Sequence, residues 1–591
     1  MSKLAWNDVD WTLVQQRVTR QQYRIYKAST ERESQNTGNA KIHSLQRRVI
    51  ASLDARLLAV RRVTTENKGR NTAGVDRQKV LSPKEKMALV YKLKLDGNSS
   101  PIRRTYIPKP GKSDVRPLGI PTIEDRAKQM LAKIALEPEW EARFEPNSYG
   151  FRPGRSCHDA IQSLFLSLRG KSRYVLDADI EKCFDRIDHN KLLHKLSTFG
   201  LMKRQINAWL KADIMTGYQN RPDDIFQSME GTPQGGVISP LLANIALHGL
   251  ENHIKTWYST DWYAETGQSR KIPIRDRKAQ IGFSRYADDF VITAPTLRDI
   301  EQIKEQVELW LNEEAGLSLS KAKTRVVEST EGFEFLGFRL ISVKNLAKDQ
   351  YKLLIYPSRA SKARLLERIR SILQKNRAAS AYNSIQQLRP RIIGWANYFQ
   401  YSECSKDFNK MDYYIFQQLR AWVFRRKSKG LRSRTKIREK YFPKGKEYLF
   451  RGKNHANNWI LWGQTKGKGG KVLEAFLPRL SWVPSRQYVK IKGTASPYDG
   501  NHLYWAKRME KYSGFSHSIS KLIKRQYGQC AICKQYFTPV DVIEVDHIVP
   551  RAKGGSSRFK NLQALHKHCH VQKSRQDNSV NSSIFEDYLL P

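Results

Sequence analysis

The segment 281–294, IGFSRYADDFVITA, places two short apolar runs on either side of the acidic pair Asp288 and Asp289. Two β-rich runs joined by a short polar turn predict a β-hairpin, here with carboxylates at the turn. Between residues 100 and 340, short apolar runs of this kind alternate with helical patterns. This alternation predicts an α/β domain.

A second β-rich run, 174–180, carries Asp177 and Asp179 two positions apart. Alternate residues of a strand share a face, so both carboxylates would point the same way. Carboxylates at strand ends can hold Mg²⁺, which prefers oxygen ligands and keeps positions free for phosphate. Two such ions can stabilise the attacking and the leaving oxygen of phosphoryl transfer. Acids at hairpin turns are common, however, so an isolated Asp-Asp pair favours a plain structural turn.

The 591 residues include 104 Lys and Arg against 57 Asp and Glu, which gives a formal net charge of +47. Residues 361–520 hold 34 of these cations and 9 of the acids, and six of the 13 tryptophans lie between Trp395 and Trp505. Cations interleaved with aromatic side chains suit a polyanion with exposed bases, because cations pair with phosphate and rings stack on bases. The alternative is a solvated basic surface over an aromatic core.

The N-terminal segment 41–64 has apolar residues spaced three or four apart, which predicts one helix face. These residues are Ile42, Leu45, Val49, Leu53, Leu57 and Val60. The turn-rich segment 67–76 would end this helix, and the pattern is helical again from residue 360 onwards. No run approaches the roughly 18 apolar residues of a membrane helix. With no secretory signal visible and only six cysteines, we expect a cytoplasmic protein with no membrane partner.

The last part of the chain holds two pairs of metal-ligand side chains. Cys530 and Cys533 form a CxxC pair, and His566 and Cys569 form a later HxxC pair. This spacing is typical of a tetrahedral zinc site, because Zn²⁺ accepts thiolate and imidazole ligands together. His568 is a rival for the histidine ligand. A structural zinc ribbon is the simplest interpretation of these residues alone.

Several sequence blocks together resemble the motifs of reverse transcriptases, with YADD (286–289) in the place of the catalytic hairpin. The other blocks, in the order of that family, are 103–126, 148–161, the strand that ends at Asp179, 231–245, 316–326 and 331–340. More narrowly, the chain resembles the protein encoded by a group II intron. The resemblance covers nearly the whole chain and implies a right-hand polymerase with fingers, palm and a helical thumb.

This resemblance implies roles for individual residues. Asp179 and Asp288 match the pair that binds two Mg²⁺ ions, and Asp289 matches the neighbouring acid. Phe184 matches the ring that floors the sugar pocket and favours dNTPs over rNTPs. Lys109 and Arg116 match residues that contact the triphosphate. Gln234 and Gly235 match residues that contact the template, and Lys323 matches a lysine that contacts the leaving pyrophosphate.

Two other regions resemble RNA-binding parts of the same family. Segment 67–76, NKGRNTAGVD, resembles part of the N-terminal extension, and segment 388–400, LRPRIIGWANYFQ, resembles a block of the thumb or maturase domain. In that family these regions grip the intron RNA and help it fold for self-splicing. The RNA performs the splicing chemistry, so no catalytic side chains are expected there.

Between and after the zinc-ligand pairs, a further set of side chains resembles an HNH nuclease. The resemblance implies that His547 is a general base and that Asn561 orients its ring. It also implies that Asp546 and His570 hold one Mg²⁺ ion at the scissile phosphate, while zinc only stabilises the fold. His566 departs from the usual second CxxC, which leaves the identity of the zinc ligands open but not the catalytic set.

We therefore expect a multidomain chain of α/β and α parts. The expected domains are an RNA-binding N-terminal extension (1–80), reverse transcriptase fingers and palm (81–350), a thumb or maturase domain (351–480), a DNA-binding region (481–525) and a ββα-metal HNH domain (526–591). The implied partners are group II intron RNA, target double-stranded DNA, dNTPs and an RNA template with a DNA primer.

The two expected sites fit one reaction sequence, because a DNA nick leaves a 3′-hydroxyl and a reverse transcriptase needs a primer with one. One alternative is a splicing cofactor that binds RNA and has inactive catalytic domains. The intact polymerase acids and the complete nuclease set argue against it. Another alternative is a retron or diversity-generating reverse transcriptase, which the maturase-like region and the HNH segment disfavour.

Overall fold

A computed structural model describes most of the chain and contains three hydrophobic cores. The described residues are 4–35, 38–79, 81–108, 115–218, 221–226, 230–265, 272–345, 347, 349–426, 433–467, 470, 472–512 and 515–577. In the described part of the chain, no helix is both long and apolar enough to span a lipid bilayer.

The N-terminal region is helical, as predicted, but its helices divide differently. They are α1 (Trp11–Gln35), α2 (Ala40–Ala51), α3 (Leu53–Arg61) and α4 (Pro83–Lys92). The single helix predicted over 41–64 is wrong, because the backbone is extended at Ser52 and the helix restarts after it. This break turns Leu53 out to 40% exposure, whereas Ile42 and Val49 lie in the core.

The predicted hairpin over 281–294 is confirmed within a four-stranded antiparallel sheet. In spatial order its strands are β6 (Gly282–Tyr286), β7 (Asp289–Ala294), β3 (Tyr174–Asp179) and β8 (Arg325–Glu328). We call this sheet the palm sheet. Val175, Leu176, Val291 and Ile292 are fully buried, so both faces of its centre are covered.

The helices of the same region surround the palm sheet. They are α5 (Ile123–Arg143), α6 (Cys157–Leu168), α7 (Cys183–Arg186), α8 (His189–Leu196), α9 (Gly200–Leu210), α10 (Ser239–Ala246), α11 (Leu250–Trp257), α12 (Tyr263–Glu265), α13 (Ile274–Gln280) and α14 (Leu297–Ala315). Helix α6 packs against β6, and α14 packs against β3 and β7. The α/β pattern predicted for 100–340 is confirmed.

Two further sheets are formed by the other strands between residues 102 and 357. One has the order β2 (Val115–Ile120), β1 (Ile102–Pro108), β4 (Ile214–Tyr218) and β5 (Arg221–Phe226). The other has the order β11 (Gln350–Pro357), β10 (Phe338–Asn345) and β9 (Phe333–Phe335).

Between residues 359 and 441 the elements of the described chain are all helices. The helices are α15 (Arg359–Lys375), α16 (Ala381–Phe399), α17 (Ser405–Phe424) and α18 (Arg434–Tyr441). Two hairpins follow where the sequence predicted helix: β12 (Glu447–Phe450) with β13 (Lys453–Ala456), and β14 (Trp462–Lys466) with β15 (Val472–Phe476).

The C-terminal part has two helices and then a ββα unit. These elements are α19 (His502–Tyr512), α20 (His517–Arg525), β16 (Ile543–His547), β17 (Leu562–His566) and α21 (Lys567–Gln576). Strands β16 and β17 are antiparallel, and α21 packs on both. The segment between Tyr488 and Arg508 is bonded to the buried carboxylate of Asp159, at the start of α6.

Candidate active sites and metal centre

Three carboxylates meet at one end of the palm sheet, as the sequence predicts. Asp179 ends β3 and pairs in register with Asp289, which begins β7. Asp288 lies in the turn before β7, where its carbonyl oxygen accepts from the Ile180 N–H at 3.4 Å. We call Asp179, Asp288 and Asp289 the carboxylate cluster.

The electrostatics of the carboxylate cluster favour a cation. Burial and the neighbouring carboxylates raise the pKa of Asp289 to about 8, and burial followed by Asp179 raises that of Asp288. The ammonium group of Lys323 hydrogen-bonds to Asp179. Crowded oxygen donors that repel one another are a donor set suited to a hard divalent ion, so these residues fit the expected Mg²⁺.

A cavity of about 540 Å³ opens beside the carboxylate cluster. Among the residues with predicted roles, its walls include Asp179, Asp288, Arg116, Phe184, Gln234 and Lys323. The structure therefore brings together side chains from five separate sequence blocks. Lys109, the other predicted triphosphate contact, lies outside the described residues.

Gly235 does not line this cavity, but its backbone lies close to the backbone of Gly119 on β2. Its φ is +118°, and a Cβ there would stand 2.4 Å from the Gly119 carbonyl oxygen. Sequence reasoning did not identify Arg104, Lys182 or Asp185 as cavity residues. Their positions depend on strand pairing and on a left-handed residue at Lys182 (φ +46°), which no spacing rule would have revealed.

Asp177 shares the strand face of Asp179 but does not join the cluster. Its carboxylate pairs with Arg325 of β8 at 3.4 Å. Burial raises its pKa to about 6, although Arg325 opposes that shift. Asp177 is thus a partner of the neighbouring strand, and we assign it no catalytic part.

The nuclease residues lie on the ββα unit. Nε2 of His570, on α21, is 3.4 Å from Oδ1 of Asp546, on β16. Burial would lower the pKa of His570, but bonds to Asp546 and Glu544 raise it to about 9. Lys573 also contacts Asp546, at 3.1 Å. An imidazole and a carboxylate this close can share one divalent ion, so the pair fits the predicted metal site.

Glu544 is a member of this site that the sequence analysis missed. Its Oε2 accepts from Nδ1 of His570 at 2.7 Å, which turns Nε2 of that ring towards Asp546. Glu544 stands two positions before Asp546 on the same strand, so strand alternation could have indicated it.

His547 ends β16 and is more exposed than its neighbours in the site. Burial and Arg551 lower its pKa, and Nε of Arg551 donates to Nε2 of the ring at 3.2 Å. A ring that accepts an N–H at this nitrogen is neutral, which is the form that can take up a proton.

Asn561 makes different contacts from those expected. Its side chain accepts from the Val549 N–H at 2.9 Å and donates to the carbonyl oxygens of Val549 and Ser556. It holds the loop that follows His547 instead of bonding to the His547 ring, because that loop presents backbone polar groups to its amide.

The cysteine and histidine pairs come together as the spacing predicts. Cys530, Cys533, His566 and Cys569 have ligand atoms that all lie within 4.8 Å of one another, and no other group of this kind occurs among the described residues. Nδ1 of His566 faces Cys533, and its Nε2 lies 3.6 Å from a buried Asp541 carboxylate. A carboxylate behind a ligand histidine is the usual support of a metal site, so these residues could hold a metal ion.

His568 does not compete for this site. Its ring stacks on the His566 ring with centroids 5.1 Å apart and an angle of 7°. Burial, followed by the charges of Arg61 and His566, lowers its pKa to about 3. His568 therefore packs against His566, and His566 is the histidine that lies within 4.8 Å of the three cysteines.

The aromatic side chains of 361–520 are mostly structural. Of the six tryptophans from Trp395 to Trp505, only Trp459 is exposed, at 49%, while Trp422 and Trp505 are buried. The prediction that these rings stack on bases is therefore wrong for the buried ones, which fill the second hydrophobic core. Some cations of the same segment are paired with acids, among them Arg479 with Asp412 and Arg508 with Asp159.

Comparison with known families divides the chain in the same order. Residues 6–93 match the N-terminal domain of reverse transcriptase, and 107–340 match reverse transcriptase (RNA-dependent DNA polymerase). Residues 362–442 match the group II intron maturase-specific domain, and 530–576 match HNH endonuclease.

Several curated proteins are similar to this chain. Protein YkfC of Escherichia coli is 35% identical over 303 residues, 47% of this chain and 78% of YkfC. The group II intron-encoded protein LtrA of Lactococcus lactis is 32% identical over 46% of this chain. That alignment spans only about half of LtrA, 52%. Maturase-like protein 1 of Euglena gracilis is 25% identical over 67% of this chain and 76% of its own length.

These matches agree with the geometry of the two sites. The palm sheet carries the carboxylate cluster inside the reverse transcriptase match, and the ββα unit carries the metal-ligand residues inside the HNH match. The maturase match falls on helices α15 to α18. The chain belongs to the family of group II intron-encoded proteins, with reverse transcriptase, maturase and HNH endonuclease domains.

Proposed function

We propose that this protein copies RNA into DNA, assists the splicing of a group II intron RNA and nicks target DNA to prime that copying. The observation that carries the proposal is the carboxylate cluster at the edge of a cavity of about 540 Å³ that also presents Arg116, Phe184 and Gln234. A triphosphate needs cations and divalent metal, and its sugar needs an apolar surface. This cavity has cations, carboxylates that would hold metal and the Phe184 ring.

In the polymerase site, Asp179 and Asp288 would hold two Mg²⁺ ions, which supply positive charge for the attacking 3′-oxygen and the leaving pyrophosphate. Arg116 would pair with the triphosphate through its planar fork. Lys323, which bonds to Asp179 and lines the cavity, would donate to the departing pyrophosphate. Lys109, from the block before Arg116, would add a second cation.

Phe184 would set the preference for deoxyribose. Its ring lines the cavity and packs edge-on against Phe151, with centroids 5.8 Å apart. Gln234 donates to Asp185 at 3.1 Å, which fixes the segment that would lie along template and incoming base. A ring in this position would clash with a 2′-hydroxyl, so ribonucleotides would be excluded by contact.

In the nuclease site, His547 would take a proton from the attacking water through Nε2, in place of its contact with Arg551, because its ring is neutral. Asp546 and His570 would hold one Mg²⁺ ion, which supplies charge for the scissile phosphate. Asn561 would act through the loop it holds after His547. Zn²⁺ at Cys530, Cys533, His566 and Cys569 would stabilise a unit whose own core is small.

The RNA role rests on charge. Residues 361–520 hold 34 Lys and Arg against 9 Asp and Glu, and the maturase match begins at residue 362. Such an excess repels itself unless a polyanion neutralises it. We assign intron RNA to this region and to the N-terminal helices. Target DNA is assigned to the part beyond residue 480.

The proposal is tested by replacing Asp288 and Asp289 together with alanine. Primer extension on an RNA template should be lost, while the double variant should still promote intron splicing, because splicing depends on RNA contacts elsewhere. Asp349→Ala, at a carboxylate with 85% side-chain exposure, is the matched control. Equal loss of splicing in a folded double variant would contradict the separation of roles.

A splicing cofactor without catalysis remains the second candidate, and the same assay separates the two. A wild-type protein that promotes splicing but extends no primer with Mg²⁺, and nicks no target DNA, would support the cofactor. The complete carboxylate cluster and the Asp546–His570 pair favour the enzyme, because an inactive domain has no need to keep repelling acids together.

A further inference from the structure

Two buried polar side chains lie behind the turn that carries Asp288, and the proposed mechanism uses neither. Asn244 on α10 is 2% exposed, and Arg285 on β6 is 1% exposed. Neither faces the cavity beside the carboxylate cluster. A buried cation in a protein interior is costly, so its retention next to a catalytic turn calls for a physical reason.

The two side chains form one hydrogen-bonded chain that ends on the turn. Nη1 of Arg285 donates to Oδ1 of Asn244 at 3.1 Å and to the carbonyl oxygen of Ala287 at 3.1 Å. Nδ2 of Asn244 donates to the carbonyl oxygen of Gly150 at 2.8 Å. Asn244 therefore connects three separate segments, and the last bond of Arg285 reaches the residue directly before Asp288.

The turn needs such support. Ala287 has a φ of +61°, a left-handed conformation that a non-glycine residue adopts only when its surroundings hold it there. Gly150 presses against the same residue, since a Cβ on Gly150 would stand 2.2 Å from the Ala287 nitrogen. The Arg285 bond holds the Ala287 carbonyl oxygen, and the Gly150 backbone packs against the Ala287 nitrogen.

Arg285 is not simply a charge partner of an acid. Burial lowers its pKa to about 10, although the charge of nearby Glu145 opposes that shift. Its Nε and Nη2 have no hydrogen-bond partner in the described part of the chain. Within that part, the bonds of this guanidinium run to Asn244 and Ala287, so its contribution is to the shape of the turn.

We propose that Asn244 and Arg285 are positioning residues that hold the turn at Ala287 so that the Asp288 carboxylate meets a divalent ion in the correct place. The inference rests on the proposed polymerase function and deepens it. A turn released from Arg285 can relax towards ordinary backbone angles, which moves the Asp288 carboxylate relative to Asp179. A shift near 1 Å in such a group is enough to cost on the order of a hundredfold in rate.

The test compares variants by their metal dependence. Asn244→Leu has a side chain of similar size but loses the hydrogen bonds to Arg285 and to the Gly150 carbonyl oxygen. Asn244→Asp keeps an oxygen that can accept from Arg285. Gly150→Ala pushes directly on the turn, and Gly200→Ala, with nothing within 4 Å of its added Cβ, is the matched control. Primer extension is measured across Mg²⁺ concentrations, with KM for dNTP determined at saturating Mg²⁺.

We expect Asn244→Leu and Gly150→Ala to raise the half-saturating Mg²⁺ concentration on the order of tenfold to a hundredfold. Excess Mg²⁺ should restore much of kcat, and KM for dNTP should stay near the wild-type value. Asn244→Asp should fall between wild type and Asn244→Leu, and Gly200→Ala should match wild type. A merely structural role would reduce the active fraction without moving the Mg²⁺ requirement.

A second measurement does not depend on turnover. Mg²⁺, a complementary dNTP and a template with a dideoxy-terminated primer should raise Tm of wild type by more than that of Asn244→Leu, because binding to the folded state stabilises it. Wild-type Mg²⁺ dependence in both Asn244→Leu and Gly150→Ala would overturn the inference. If the wild-type protein extended no primer, the proposed polymerase function would fail. Equal Tm shifts in wild type and Asn244→Leu would overturn the inference about Asn244 and Arg285, whatever the result of primer extension.

Discussion

Replacing Asp159 with alanine should release the segment that joins the maturase region to the nuclease unit. The Asp159 carboxylate is fully buried at the start of α6. It accepts from Nη2 of Arg508 at 2.6 Å, from the Tyr488 hydroxyl at 3.1 Å and from the Ile491 N–H at 2.8 Å. All three donors belong to a segment more than 300 residues further along the chain.

The magnitude follows from the guanidinium that would be left behind. Arg508 is 9% exposed, so without Asp159 it becomes a nearly buried charge with no carboxylate. Removing one partner of a buried ion pair costs about 3–5 kcal/mol. At 1.4 kcal/mol for each tenfold change, opening of this segment should become roughly a hundredfold to several thousandfold more frequent.

Hydrogen exchange at the backbone amides of 485–512 measures this opening directly. Asp159→Asn, which keeps an acceptor oxygen, should lose less protection than Asp159→Ala. Adding Arg508→Leu to Asp159→Ala should recover part of it, because no buried charge is then unpaired. Asp349→Ala breaks an exposed pair with Lys344 and should leave exchange at 485–512 unchanged. Unchanged protection of this segment in Asp159→Ala would refute the reasoning.

Three further expectations concern the sites themselves. Burial and Arg551 lower the pKa of His547, so its ring stays neutral as the pH falls past the usual histidine value near 6.5. The rate of DNA nicking should therefore fall only below that pH. A fall in rate that begins above it would contradict the assigned base. Cys569→Ser should make residues 530–577 sensitive to protease, while extension of a supplied primer should continue. The reason is that the metal-ligand cysteines Cys530, Cys533 and Cys569 lie in or pack against a separate hydrophobic core. Loss of primer extension would show that the cores are not independent. Phe184→Val should increase rNTP incorporation by about tenfold or more relative to dNTP, measured as the ratio of kcat/KM values, and an unchanged ratio would remove Phe184 from the sugar pocket.

The palm sheet and the metal-ligand cluster were predictable because their signals are local. A hairpin depends on two neighbouring runs, and CxxC with HxxC depends on spacing alone, so the order of residues along the chain is enough to place Asp288, Asp289 and Cys530. The split of the N-terminal helix at Ser52 cannot be placed this way. Its apolar spacing continues through the break, and only packing shows that Leu53 points outward.

Contacts between distant segments were beyond the sequence. Asn244 and Arg285 sit in blocks that the family resemblance identified, yet neither carries a signal of its link to Ala287. Asn561 was expected to orient the His547 ring, yet its side chain bonds to backbone groups, since an amide can bond to a ring or to backbone with equal ease. Residue type indicates which bonds are possible, and the fold decides which one forms.

In the segment beyond residue 480, the fold decides which side chains can reach DNA. Trp505 is buried, and Arg508 is committed to Asp159, so two of the side chains that made this region look suited to DNA cannot reach it. Exposed cations remain on α19 and α20, among them Lys507, Lys511 and Lys521. Lysines at a surface pair with phosphates and do not distinguish bases. Target selection by this segment alone should therefore be weak, so exchanging the bases of a DNA site should change its affinity for this segment little.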